Sequence, residues 1–222
     1  MELIEAIQKR HCVRQYKDLP IEGEVLAALQ EEIALCNKES GLHIQLVTNE
    51  PKAFDSFLAH YGKFTGVQNY IALVGKKSRD LDEVCGYYGE RLVLRAQQLG
   101  LNTCWVALTY RKIPGVLTID EGEKLTVVIS VGYGRNRGVV RKSKTAEEVS
   151  NISPTSPEWF RRGIAAALLA PTAINQQKFR LTLKDDGIVS AKAGLGPCAK
   201  MDLGIVKYHF EIGAGAENFR WE

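Results

Sequence analysis

Apolar positions along the chain recur with two periods, and the switches between them divide it into alternating helices and strands. Over residues 2–10, Leu3, Ile4 and Ile7 fall on one side of a short amphipathic helix. Pro20 breaks the chain. Val25, Leu26, Leu29, Ile33 and Leu35 then set a second helix over 21–37, ended by Gly41. His43 to Val47 reads as a short strand, Pro51 opens a helix through about His60, and the apolar run Asn69 to Val74 reads as a buried strand. The longest helical pattern covers 79–99, with Leu81, Val84, Tyr88, Leu92 and Leu99 apolar and Gly100 as its stop. Asn102 to Leu108 and Leu125 to Gly132 are two further strands.

The pattern changes after residue 134. Arg135, Arg137, Arg141, Lys142 and Lys144 form a basic stretch, and Ser153-Pro154-Thr155-Ser156-Pro157 marks a linker or sharp turn. Ser156 is placed to cap a helix from Pro157 to about Leu169, with proline at its first helical position and Pro171 as its stop. Gln177 to Leu183 and Ile188 to Ala191 flank Asp185-Asp186-Gly187 as a hairpin, and 199–213 forms a last helix with Met201, Ile205, Tyr208 and Ile212 inward. Helices and strands in this order predict an α/β or α+β fold with a mixed sheet. The whole chain, 1–222, reads as one domain, with a division into halves 1–152 and 153–222 open at the linker. A helix, a break and a strand at 25–47 recur at 159–183, which suggests an internal pseudo-repeat.

Composition narrows the function classes. With 45% hydrophobic and 25% charged residues the chain is an ordinary globular one, long enough for a sizeable core. A net charge of +3 is too small to argue for nucleic acid. No apolar run approaches the length of a membrane span, and the acidic start Met1-Glu2-Leu3-Ile4-Glu5 is not a signal peptide. The five cysteines (12, 36, 85, 104, 198) are scattered and odd in number, so reduced thiols and a cytoplasmic location are expected rather than a disulfide frame. The four histidines show no metal-ligand spacing, so no metal centre is expected.

Four stretches carry candidate chemistry. Arg10 and Arg14 flank Cys12, and share a side in either an extended or a helical segment. Two planar guanidinium forks there suit a phosphate, although solvated surface charges are the bland alternative. In Leu169-Ala170-Pro171-Thr172-Ala173-Ile174-Asn175-Gln176-Gln177, small residues admit a flat ligand, and Thr172, Asn175 and Gln177 supply an edge of hydrogen-bonding groups. The alternative is a polar helix-to-strand loop. Gly100-Leu101-Asn102-Thr103-Cys104-Trp105 feeds a strand, and core packing explains its tryptophan equally well. The basic stretch is a phosphate contact, a solvated loop or a non-specific nucleic-acid patch. Gly132-Tyr133-Gly134 with Gly138 fails as a dinucleotide loop, because its spacing is wrong and no helix opens behind it.

Taken together these stretches resemble the nitroreductase superfamily of FMN-dependent enzymes. Glu5-Ala6-Ile7-x-x-Arg10-x-x-Val13-Arg14-x-Tyr16 is similar to its N-terminal signature. Ala170-Pro171-Thr172-Ala173-Ile174-Asn175-Gln176-Gln177 resembles its Ala-Pro-Ser-x-x-Asn-x-Gln segment, and Gly100 to Trp105 its Gly-Leu-Gly-Thr-Cys-Trp strand. Lys142-Ser143-Lys144 matches its late basic motif. The usual order is altered: the Ala-Pro segment stands after the basic motif, whereas Asn37-Lys38-Glu39-Ser40 occupies its common place. That layout, with Met201-Asp202-Leu203-Gly204-Ile205 and His209-Phe210 near the end, is similar to the subgroup named for a Thermotoga-type nitroreductase.

The resemblance implies an α+β, nitroreductase-like fold with helices flanking a mixed sheet. It implies that Arg10, Cys12 and Arg14 hold the FMN phosphate and ribityl chain, His11 contributing backbone, with Cys12 in place of the usual serine. Lys142 and Lys144 add charge at the phosphate, and Lys63 stands near the flavin. Pro171, Thr172, Ala173 and Asn175 face the isoalloxazine ring, and Val106, Ala107 and Leu108 run past its reactive nitrogen. The implied activity passes electrons from NAD(P)H through FMN to a nitroaromatic, quinone or similar planar acceptor, with no side-chain general acid nominated. The alternative is a flavin-binding or storage protein without turnover. A homodimer, usual in the family, and a single chain that supplies both halves of the site are both open.

Overall fold

The computed structural model describes residues 1–55 and 57–222. Ser56, within the helix expected over 51–60, lies outside the described residues. The chain forms two compact units. One comprises Lys9–Leu81 and Leu92–Val140, the other Met1–Gln8, Asp82–Arg91 and Arg141–Glu222.

The first unit is built on a four-stranded sheet, β1 (Gln45–Val47), β2 (Asn69–Lys76), β3 (Asn102–Val106) and β4 (Glu123–Gly132), in the order β1-β2-β4-β3. Every pairing is antiparallel, with Leu46 opposite Ile71, Ile71 opposite Ile129 and Trp105 opposite Ile129. β2 is buried from Asn69 to Gly75, as its continuous apolar run requires of a strand covered on both faces. Phe54, Phe64 and Tyr70 join Val13 and Tyr16 in the core on this sheet. Helix α2 (Gly23–Ser40) ends where Gly41 takes the left-handed conformation, and buries Leu29, Ile33 and Cys36 but leaves Leu35 exposed. Residues 51–60 do not make one helix. A single turn at Pro51–Ala53 precedes a five-residue helix, α3 (Phe57–Tyr61). The third expected strand stops at Val106, short of Leu108.

In the second unit the hairpin is as expected. β5 (Phe179–Leu183) pairs antiparallel with β6 (Ile188–Ala193), across a turn in which Asp186 and Gly187 adopt positive φ. A strand that the pattern did not suggest, β7 (Arg220–Trp221), runs parallel beside β6. The mixed sheet is therefore this small one. A four-residue helix, α5 (Ala146–Val149), also unforeseen, follows the basic stretch behind a Thr145/Glu148 capping box. In α6 (Glu158–Leu168), Pro157 is the cap residue itself, and the Ser156 hydroxyl accepts from the Ser153 amide instead of capping the helix. Along α7 (Ala199–Ala214), Met201 and Ile205 are buried, while Tyr208 and Ile212 are half-buried and His209 and Phe210 take the interior. Phe210 sits in an aromatic cluster with Phe160, Phe219 and Trp221, at ring separations of 5.1–5.8 Å.

The residues of α1 (Leu3–Lys9) and of α4 (Leu81–Gln98) are divided between the two units. Ile4 of α1 is exposed, and Ala6 with Ile7 supplies its buried face. Gly86 of α4 meets α7 backbone to backbone: a Cβ on Gly86 would lie 2.1 Å from the Met201 carbonyl, and one on Gly204 would lie 1.9 Å from the Glu83 carbonyl. The expected pseudo-repeat is not confirmed. The two helices that would correspond have 18 and 11 residues.

Candidate functional site

Residues 10–16 are extended, which settles the choice between an extended and a helical segment. Cys12 bridges Thr103, Gln15 bridges Thr65 and Tyr16 bridges Gly134. The Val13 amide donates to Thr103 O at 3.0 Å, and the Tyr16 hydroxyl reaches Val13 O at 2.7 Å and Ser130 Oγ at 2.9 Å. Gly138, at φ +72°, presses against this segment: a Cβ there would meet His11 Cβ at 2.6 Å and Cys12 O at 3.0 Å, so the chain needs glycine. Arg10 is only 6% exposed, His11 is half-buried, and Arg14 is exposed with its guanidinium 5.8 Å from the Phe64 ring centre.

The expectation of five reduced thiols fails at one pair. Cys12 and Cys104 are joined by a disulfide, with Cα atoms 4.6 Å apart across 92 residues of sequence. Neighbouring bonds explain it: the Cys12–Thr103 bridge seats residue 12 beside the start of β3, and long-range pairing of that kind is invisible in cysteine spacing. A disulfide sulfur has no S–H, so Cys12 can offer a phosphate its backbone N–H but no side-chain donor. Cys36 and Cys85 are buried and outside the disulfide, and Cys198 is an exposed thiol.

Elsewhere in the first unit, Lys63 is exposed at φ +62°, Val106 ends β3 in the core, Ala107 is exposed and Leu108 is 83% exposed.

In the second unit the structure brings Lys142, Lys144 and residues 171–177 together. Asn175 Nδ2 donates to Lys142 O at 2.8 Å, and Lys144 Nζ donates to Gln177 O at 2.9 Å. The Thr172 hydroxyl accepts from the Gln177 amide at 3.0 Å. Gln177, 2% exposed, closes the loop, receiving the Lys144 amide at 2.8 Å and donating to Leu168 O at 3.0 Å. Arg141 donates to Leu168 O and Ala170 O. The side chains expected to offer an edge to a ring are thus engaged in holding the loop's shape. That shape is strained: Ile174, Asn175 and Gln177 all have positive φ, and Ile174 is 89% exposed. A β-branched residue in the left-handed region is an outlier that surrounding structure must impose.

Asp202, which the sequence marked only as part of the Met201-Asp202-Leu203-Gly204-Ile205 motif and without a role, imposes part of it. Its carboxylate accepts from the Ala173 amide at 2.9 Å and from Gln176 Nε2 at 2.7 Å. An aspartate within the apolar run Met201-Asp202-Leu203 was the available signal. Burial raises its pKa above the ordinary carboxylate value, against the pull of the Gln176 and Ala173 hydrogen bonds. The folded state therefore binds the proton more tightly than the unfolded chain, and stability contributed by the protonated form is lost as pH rises. Wild type should lose stability relative to Asp202→Asn as pH rises from about 4 through the raised folded value. Thermal melts across that range check this, and parallel curves for the two proteins would refute it. The other motif residues near the end also have structural partners. Gly204 permits the approach to α4, and buried His209 donates from Nδ1 to Ala166 O at 3.1 Å while Nε2 lies 2.8 Å from Glu90 Oε1.

The first unit also holds a His–carboxylate group. His43, Asp120 and Glu123 bring one donor atom each within 4.8 Å of one another. His43 Nδ1 is 2.9 Å from Glu123 Oε2, which also accepts from the Asp120 amide, and the hydrogen bond to His43 lowers the Glu123 pKa.

Residues 2–214 match the family described as "Putative TM nitroreductase". A protein of Thermotoga maritima, described as a putative nitroreductase, superposes with a TM-score of 0.67 at 23% identity, over 98% of this chain and 85% of that one. Nitroreductase-family structures from Desulfovibrio desulfuricans and Streptococcus pneumoniae give TM-scores of 0.55 and 0.53, at 15% and 13% identity. They cover 70% and 67% of this chain and 99% and 98% of their own. No curated protein matches the sequence. The fold is the α+β fold of these structures, and the match over nearly the whole length shows that the chain belongs to the Thermotoga-type nitroreductase family.

Proposed function

We propose that the protein is an FMN-dependent oxidoreductase that passes electrons from NAD(P)H to a nitroaromatic, quinone or similar planar acceptor. The observation that carries this reading is the extended Arg10–Tyr16 segment, fixed by backbone bridges to Thr103, Thr65 and Gly134 with an arginine on each side of Cys12. Family membership supports it, as does the relative from Desulfovibrio desulfuricans, whose structure is a complex with FMN.

The residues fit the cofactor in kind. Two guanidinium groups on a rigid backbone suit a dianionic phosphate, and the Cys12 N–H adds a donor with little reorganisation. The strained loop offers Pro171, Thr172, Ala173 and Asn175 as candidate ring contacts, and Lys142, Lys63 and Val106–Leu108 complete the proposed set. Lys144 is proposed chiefly as a charge, since its ammonium already donates to Gln177 O. FMN supplies the redox chemistry when bound. The protein's residues bind and orient it, and no side chain is assigned as acid or base.

The alternative of a flavin carrier without turnover separates from this reading by one experiment. Under anaerobic conditions, NADH or NADPH should bleach the FMN-loaded protein, and a planar quinone should restore its absorbance. A flavin that stays oxidised with both nucleotides identifies a carrier instead. Nucleic-acid binding through residues 135–144 has less to support it. Arg135, Arg141 and Lys144 all donate to backbone carbonyls, so three cations of that stretch serve the fold.

A further inference from the structure

We propose that the Cys12–Cys104 disulfide is a thiol–disulfide exchange site, taking small thiols at Cys12. Residue 12 is exposed, whereas Cys104 is 5% exposed, so the two ends of the bond are unequally open to attack. The pairing is built into the backbone: the Cys12–Thr103 bridge and the Val13 N to Thr103 O bond set the Cα atoms 4.6 Å apart, within the range a disulfide spans. The backbone can hold that register with the bond open, so both redox forms are compatible with one fold.

The exchange balances as follows. A thiolate RS⁻ attacks Cys12 Sγ, the bond to Cys104 breaks, and Cys104 leaves with the electron pair and takes a proton from water. The product is a mixed disulfide at Cys12 and a free thiol at Cys104. Cys104 can attack back to expel the thiol. Alternatively, a second RS⁻ attacks the outer sulfur, releasing RSSR and leaving both cysteines reduced, a two-electron change overall.

The consequence for the cofactor rests on the FMN reading above. An anionic thiol such as glutathione, held at Cys12, places carboxylates beside the same arginines that FMN needs. FMN affinity should then fall by at least about tenfold in the adduct.

The test uses the full chain with Cys198→Ser, which removes the exposed free thiol. Oxidised protein, unfolded without reductant, should show Cys36 and Cys85 as its only thiols, and reduced glutathione should expose Cys12 and Cys104 as well. With Cys104→Ser added, oxidised glutathione should leave one glutathionyl group, mapped to residue 12 by mass spectrometry. With Cys12→Ser added instead, residue 104 should stay unmodified. Failure to recover a peptide pair joining residues 12 and 104 at any glutathione ratio would overturn the proposal, as would an adduct on 104 but not on 12. These readings need no flavin. A protein that exchanges thiols and never binds FMN refutes the oxidoreductase reading alone, and one that binds FMN without exchange refutes this proposal alone.

Discussion

Gly204→Ala should destabilise the protein by upwards of about 3 kcal/mol, at or beyond the upper end of overpacking costs. An alanine in a helix is ordinarily better than glycine by about 0.5–1 kcal/mol, so the sign depends on the surroundings. Here the added Cβ would sit 1.9 Å from Glu83 O and 2.7 Å from the Tyr87 amide nitrogen. Both are backbone atoms of α4 and cannot rotate away, so α4 and α7 must separate. That would loosen the buried His209–Glu90 contact and the salt bridge of Lys207 with Glu83. Gly163→Ala is the comparison. Its Cβ would meet the Phe210 ring, a side chain, at 2.5 Å, and a ring can shift further than a backbone carbonyl. Urea or thermal unfolding should rank Gly204→Ala as clearly the worse. Equal or higher stability of Gly204→Ala would show that the helices do not approach so closely.

Replacing both arginines, Arg10→Ala with Arg14→Ala, should weaken FMN binding by about a hundredfold or more. Each charged hydrogen bond is worth about 1.5–3 kcal/mol, and each 1.4 kcal/mol is tenfold. Whatever binding remains should depend less on salt, since a phosphate interaction screened by ions has been removed. The single variants should differ. Arg14 is exposed, so its loss should act on binding with little effect on melting temperature. Arg10 is buried, so its loss should also cost stability. Titration of the apoprotein with FMN at two salt concentrations measures these effects. An unchanged affinity in the double variant would remove the arginines from the site.

Much of the fold was legible because its signals are local. The run Asn69 to Val74, the periodic helix ending before Gly100 and the Asp185-Asp186-Gly187 hairpin were all readable from period and turn chemistry. What was hidden depended on distant partners. Nothing in the sequence around Arg220 and Trp221 marks a strand, because two residues make one only beside β6. The stop of β3 at Val106 and the exposure of Leu108 are tertiary features that no local pattern marks: β3 leaves β4 after the Val106–Val128 pair although β4 itself continues back to Glu123. The Cys12–Cys104 bond joins positions 92 residues apart through a backbone bridge, so counting cysteines gave the wrong redox state. The arginine pair and the Pro171–Asn175 loop were visible as motifs. The roles of the devices that fix them, Asp202 under the loop and Gly138 against Cys12, were not legible, since each depends on which distant backbone it meets.

The central claim is that this chain binds FMN through the arginine-flanked segment, and an absorption spectrum with an FMN titration tests it most directly. The protein should either purify yellow and release flavin on unfolding, or take up added FMN stoichiometrically with quenching of the flavin fluorescence. A colourless protein that leaves FMN fluorescence unchanged at every concentration would contradict the account.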